Sequence, residues 1–268
     1  MKTHRRGFSL ALLAGLALVG CASAPLSPPR PPPEVRAALA PTGTLRVATY
    51  SGSPTSLVRG PGADEMRGLT VDIGRELGRR LGVPVEIVVF ERVPEIVAAL
   101  KAARADFTIT NASPARALDV DFSPTVVALE SGHLVPAGSA LAKVADIDRS
   151  GVRVGVAQGS TSKGVLTRDL KQARVVPAPS VTAATEMLRS GELDVFATNK
   201  GILFEMADKL PGAKVLPGRW ALEQLAIAVP KERAAGAAYL QRFTAEIREQ
   251  GLVRRAAERA GLRGIAAD

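Results

Sequence analysis

Two short stretches of this sequence carry side chains able to hold an anion. In Ser113-Pro114-Ala115-Arg116 a hydroxyl, a proline and an arginine stand where a helix could begin. Serine caps a helix by accepting a backbone N–H from its first turn, and proline suits the first helical position. Arg116 then falls in that turn, and its planar fork can pair with a carboxylate through two parallel hydrogen bonds. The plainer reading is a solvated surface arginine. Gly159-Ser160-Thr161-Ser162 offers complementary chemistry. A Gly-rich turn entering a helix presents unpaired backbone N–H groups, and its hydroxyls add donors. Simple capping of a helix over Lys163–Gln172 is compatible with that role.

Other chemistries find little support. His133 is the only histidine beyond the first few residues, so a histidine metal cluster or a Ser-His-Asp triad lacks members. It lies on an expected strand, where a structural role is the simpler reading. The single cysteine excludes an internal disulfide framework and a cysteine metal site. No Lys-Ser/Thr pair closes a phosphate loop at Arg59-Gly60-Pro61-Gly62 or at Gly159. Asp64-Glu65 reads as a solvated hairpin tip. Aromatics are 4% of the chain, which leaves nucleic-acid bases few stacking platforms. No cofactor, metal or nucleic acid is therefore expected.

Alternating strands and helices must position these groups. Leu45–Thr49 reads as a buried strand, and Thr70 as the cap of a helix to Leu81 with Ile73, Leu77 and Leu81 on one face. Val85–Phe90 is a strand, and Pro94 opens a helix with Ile96, Leu100 and Ala103 inward. Asp106–Thr110 returns as a strand. The pattern restarts with strand Val152–Val156, helix Lys163–Gln172, strand Val175-Val176, helix Val181–Ser190 and strand Leu193–Thr198. Val126–Val135 and Leu222–Pro230 read as crossings between two lobes, and helices over Ala234–Gln250 and Leu252–Ala260 pack back on the first. Strand–helix alternation of this kind specifies a parallel sheet covered by helices. A cleft between two lobes is a usual place for a small ligand.

The N-terminus reads as a targeting segment. Lys2, Arg5 and Arg6 precede the apolar run Leu10–Val19, which is too short to span a bilayer. Leu18-Val19-Gly20-Cys21 resembles the lipobox of bacterial lipoproteins, implying cleavage before Cys21 and its lipidation. Arg5-Arg6-Gly7-Phe8 resembles part of a twin-arginine export signal. Three of the 35 basic residues and none of the 26 acidic ones precede Cys21, so the remainder carries +6 rather than +9. Pro25, Pro28, Pro29, Pro31, Pro32 and Pro33 then suggest a semi-rigid tether at about 3.1 Å per residue.

Several segments in order resemble the polar-amino-acid type of extracytoplasmic solute-binding protein, the ligand-capturing subunit of ABC importers. These are Gly68-Leu69-Thr70-Val71-Asp72-Ile73, Ser113–Arg116 with Val120-Asp121-Phe122-Ser123, Val154–Ser162, and Ser190-Gly191-Glu192-Leu193-Asp194. The resemblance implies an α/β fold of the type II periplasmic-binding-protein kind. Each lobe would be a mainly parallel sheet flanked by helices, with two crossing strands as hinge. The expected organisation is a signal peptide over 1–20, lipidated Cys21 and tether over 21–41, lobe 1 over 42–130 and 223–268, and lobe 2 over 131–222.

The resemblance also assigns roles. Arg116 would hold a ligand carboxylate, met from the other lobe by Ser160 and Thr161, with Ser113 beside it. Asn199 stands where the family usually has the aspartate that receives an α-ammonium group, so the amine clamp is altered. Tyr50 and Ser51 stand where a ligand-flanking aromatic usually sits, Val93 replaces another aromatic, and a loop about two residues short brings Asn111 to the cleft edge. The expected protein is a non-enzymatic, monomeric capture protein in the periplasm or at the cell surface. It would be lipid-anchored to a membrane and deliver a small carboxylate-bearing solute to an ABC permease. The alternatives are a cyclohexadienyl-dehydratase-like enzyme, with Glu130 or Glu205 as proton donor by type alone, and a ligand-sensing envelope lipoprotein.

Overall fold

The structure, a computed structural model, describes residues 30–60, 62 and 65–267. Cys21, the targeting segment, most of the proline-rich stretch and Asp64 lie outside the described residues. The first unit runs α1 (Pro33–Leu39), β1 (Leu45–Tyr50), the small hairpin β2 (Val58–Arg59) and β3 (Met66–Arg67), α2 (Leu69–Leu81), β4 (Val85–Phe90), α3 (Val93–Lys101), β5 (Thr108–Asn111) and α4 (Pro114–Ala117). The long strand β6 (Val120–Val135) leaves it. The second unit contains β7 (Arg153–Ala157), α5 (Thr161–Asp169), β8 (Arg174–Ala178), α6 (Val181–Arg189), β9 (Val195–Asn199), α7 (Lys200–Ala207) and β10 (Lys214–Val215). Then β11 (Ala221–Pro230) returns, and α8 (Ala234–Glu249) and α9 (Leu252–Ala260) complete the first unit.

The sheets follow from apolar runs that need cover on both faces. β1 pairs with β4 in parallel register from Leu45↔Val85 to Tyr50↔Phe90, and β7 pairs in parallel with β8 and β9. β6 and β11 are antiparallel to each other, with β5 flanking β11 and β9 flanking β6, also antiparallel. Each lobe therefore has a mixed sheet, and β6 and β11 belong to both. The main core joins Leu45, Val47, Ile73, Leu77, Leu81 and Phe107 to Ile227, Leu240, Phe243 and Ile247. The second lobe has its own clusters around Phe196, Leu188 and Leu203, and around Val154, Val156 and Val195.

The same ionic clip closes the start of each lobe's sheet. In the first, Asp106 accepts from the Arg46 backbone N–H at 3.1 Å, from its Nε at 2.8 Å and from its Nη2 at 2.9 Å, and also pairs with Arg233. In the second, Asp194 accepts from the Arg153 backbone N–H at 2.7 Å and from its guanidinium at 2.9 and 2.8 Å. An arginine at the start of one strand thus grips an aspartate just before a later one, β1 to β5 in the first lobe and β7 to β9 in the second. The bidentate fork fixes strand register at both places.

Three expectations are corrected and one helix is added. The tether does not extend to residue 41 as an unfolded leash: α1 buries Val35 and Leu39 against α8. A Cβ at Gly236 would come within 2.6 Å of Leu39 Cδ2, so a glycine in α8 makes the seat. Thr70 is not a cap but sits inside α2, where its hydroxyl donates to the Thr55 carbonyl at 2.7 Å. Ala103 lies past the end of α3 and is exposed, and Ala99 takes its place inward. α7, which follows Asn199 directly, was not anticipated as a helix.

Candidate ligand-binding site

A cleft of about 90 Å³ lies between the lobes. That is below the range of drug-sized sites and suits a small metabolite. Of the expected residues, Tyr50, Asn111, Arg116, Ser160, Thr161 and Asn199 line it. Ser51 and Ser113 do not. Ser51 is exposed beyond the end of β1, and Ser113 serves as the cap of α4, its hydroxyl accepting the Arg116 N–H at 3.4 Å.

Arg116 is positioned by that one-turn helix. Its Nη1 donates to the Thr110 hydroxyl at 2.7 Å and to the Asn111 carbonyl at 3.2 Å, both at the end of β5. These bonds hold one edge of the fork, while Nε and Nη2 make no protein hydrogen bond among the described residues. Burial pulls the guanidinium below its ordinary pKa, opposed by the charge of Glu223 and by Tyr50. It remains a cation at biological pH. The free donors of this half-buried cation are the feature an anionic ligand would complete.

The second lobe supplies the opposite wall. Ser160 caps α5 by accepting the Lys163 N–H at 3.2 Å and lines the cleft as well. Asn111 Nδ2 donates across the cleft to Thr161 Oγ1 at 3.2 Å, so the two lobes touch through two expected site residues. Gly159, with φ of +72°, faces Pro94 of α3; a Cβ there would lie 2.4 Å from Pro94 Cγ. Only glycine allows both that backbone conformation and that approach.

Glu223 was not anticipated. It stands on β11 among the hinge residues, buried, and lines the cleft. Asn199 Nδ2 donates to its Oε2 at 3.3 Å, while Asn199 Oδ1 caps α7 by accepting the Ile202 N–H at 3.2 Å. Burial raises the Glu223 pKa, and Arg116 and then Asn199 act against that rise. A sequence signal existed. β11 alternates faces, and Glu223 shares the buried face with Leu225 while apolar Leu222 points out and is 41% exposed. An acid on the core side of a crossing strand needs a partner or a purpose.

The acids considered as proton donors are elsewhere. Glu130 pairs with Lys200 at 2.5 Å and with Arg219 at 3.2 Å, and Glu205 lies 3.6 Å from Arg263. Neither lines the cleft. His133 is buried on β6, both ring nitrogens without a partner among the described residues, beside the Trp220 ring at 6.3 Å, and burial lowers its pKa to about 4.

The family model described as bacterial extracellular solute-binding proteins, family 3, matches residues 45–261. The chain belongs to this family. Among curated relatives, family 3 likeness extends to the ABC transporter glutamine-binding protein GlnH of Bacillus subtilis. The two are 26% identical over 185 residues, which span 66% of this chain and 66% of that relative. Among solved structures, a solute receptor for L-cysteine of Neisseria gonorrhoeae superposes with TM-score 0.76 at 20% identity, covering 87% of this chain and 99% of that one. An ancestral amino-acid-binding protein, a precursor of cyclohexadienyl dehydratase, gives TM-score 0.73 at 22% identity over 83% and 97% of the two chains. The two-lobed architecture with shared crossing strands is that of the type II periplasmic binding proteins. Family 3 proteins are extracellular solute binders, which puts this chain in the periplasm or at the cell surface. Among the described residues no helix is long and apolar enough to cross a membrane.

Proposed function

We propose that this family 3 protein captures a small carboxylate-bearing solute, an amino acid or a related organic anion, and hands it to an ABC permease. The observation that carries this reading is Arg116: a half-buried guanidinium with unused donors, lining the cleft opposite a hydroxyl-bearing turn of the other lobe. Ligand bound between Arg116 and Ser160–Thr161 bridges the lobes, and bridging favours closure about β6 and β11. The closed form is what the permease reads. The protein works as a monomer and as a receptor rather than an enzyme. Cys21 carries the lipid, and the proline-rich stretch up to α1 forms the leash.

A thermal-shift screen of residues 30–268 against amino acids, opines, dicarboxylates and phosphonates tests the reading. At one hundred times Kd a ligand adds about 2.7 kcal/mol of stability, and a carboxylate is expected among the hits. Failure of every carboxylate to shift the melting curve would remove the clamp.

One observation favours a second reading. An enzyme on this fold needs a proton donor near the clamped carboxylate, and Glu223 is a buried acid with a raised pKa in the same cleft as Arg116. Prephenate turnover by the purified domain would select that reading over capture.

A further inference from the structure

Two opposite charges share the floor of the cleft. Arg116 stands on α4 in the first lobe, and Glu223 stands on β11, one strand over from β6 and two from Asn199 at the end of β9. They attract each other but form no direct ion pair. The Glu223 carboxylate accepts one protein hydrogen bond among the described residues, from Asn199 Nδ2 to Oε2, which leaves Oε1 and further lone pairs free. A carboxylate can accept about four hydrogen bonds, and burying one with a single neutral donor is costly.

Asn199 is a neutral acceptor whose oxygen is already engaged, so it is a poorer partner for a cation than the acid beside it. Only its oxygen can accept the Ile202 N–H, and that bond turns its NH₂ toward Glu223. The amide therefore presents donors to the cleft side and orients the acid behind it. Resting on the capture of a carboxylate by Arg116, we infer that Glu223 receives an ammonium group of the same ligand. The substrate class is then a zwitterion, an amino acid whose carboxylate pairs with Arg116 and whose amine pairs with Glu223. The negative charge thus sits on the crossing strand at position 223 rather than at the strand end at position 199, and Asn199 aims it.

The placement has a mechanical consequence. Glu223 sits on a strand shared by both lobes, so an ammonium held there is gripped at the hinge itself, while the carboxylate is gripped from both walls. Filling both groups would partner a half-buried cation and a buried acid at once, so closure and recognition draw on the same contacts.

Matched ligand pairs test this. The wild-type domain is titrated calorimetrically with each proteinogenic L-amino acid and with its des-amino carboxylate, for example L-alanine with propionate and L-glutamine with glutaramate. The wild type alone is already diagnostic: the amino acid is expected to bind at least about tenfold tighter than its des-amino partner, the usual weight of a hydrogen bond to a charged group. Glu223→Gln should erase that preference, weakening the amino acid while leaving the des-amino acid within about threefold. The double exchange Asn199→Asp with Glu223→Gln keeps one acid and one amide in contact and should recover part of the preference.

Equal affinity of the wild type for both members of a pair would overturn the inference. So would equal losses for both in Glu223→Gln, because Glu223 would then act only by positioning Arg116. Binding of neither series to the wild type would instead remove the carboxylate clamp on which the inference rests. Melting curves of each variant separate unfolding from lost recognition.

Discussion

Replacing Arg116 by alanine is the most direct perturbation of the cleft. The side chain is anchored by Thr110 and the Asn111 carbonyl along one edge, and its free edge faces the cavity. In the unliganded protein the substitution removes a half-buried cation and two hydrogen bonds, and Thr110 and Asn111 line the cavity, where water can replace the lost donor. The folded state should therefore lose little stability. With ligand bound the balance differs. A carboxylate enclosed between the lobes without its guanidinium keeps its charge and loses its partner. Truncating one member of a buried, hydrogen-bonded charge pair costs about 2–5 kcal/mol, or roughly 30- to several-thousand-fold in Kd. Arg116→Lys keeps the charge but loses the fork, so its loss should be smaller. Calorimetric titration with the ligand found by thermal shift reads both variants against the wild type. An Arg116→Ala affinity within threefold of the wild type, in a protein of unchanged melting temperature, would refute the reasoning.

Three further outcomes follow from particular contacts. Gly159→Val should prevent full closure, because a Cβ there meets Pro94 at 2.4 Å and the residue has φ of +72°. Affinity should fall about tenfold or more, and small-angle scattering with ligand should keep the open dimensions; an undiminished contraction would count against it. Asp106→Ala removes a buried carboxylate and leaves the half-buried Arg46 and Arg233 without their shared partner, and urea unfolding should report a loss of about 3 kcal/mol. His133 is held neutral by burial, with its pKa lowered to about 4 from an unfolded value of 6.5. Its contribution is fully present above pH 6.5 and is lost as pH falls to about 4, up to about 3 kcal/mol in all. His133→Leu should flatten that part of the stability–pH curve, and an unchanged slope would exclude His133 as its source.

Much of the molecule was legible in one dimension because its signals are local. Leu45–Tyr50, Val85–Phe90 and the helix up to Leu81 stand nearly where runs and periodicity put them, since each is specified by its own apolar pattern and its closing Gly82. Ser113 and Ser160 cap as their types suggest. Readings failed where a distant partner decides the outcome. Pro33–Leu39 carries a tether's composition, yet Val35 and Leu39 find a groove on α8 opened by Gly236, some two hundred residues away. Thr70 looks like a cap, but the Thr55 carbonyl is a better partner once the hairpin folds beside it.

The site divides along the same line. Residue types alone determined that an arginine fork and a Gly-Ser-Thr turn could hold an anion, and that two α/β units with two crossings would place them in separate lobes. Tertiary structure decided which donors remain free. It spent Ser113 on a cap, left Ser51 outside, joined Asn111 to Thr161 across the cleft, and brought in Glu223. It also gave Asn199 its orientation, by committing the oxygen to the Ile202 N–H and the NH₂ to Glu223. Charge and hydrogen-bonding capacity belong to each residue by itself. Whether that capacity is used up by a neighbour or left open for a ligand depends on what folding brings alongside.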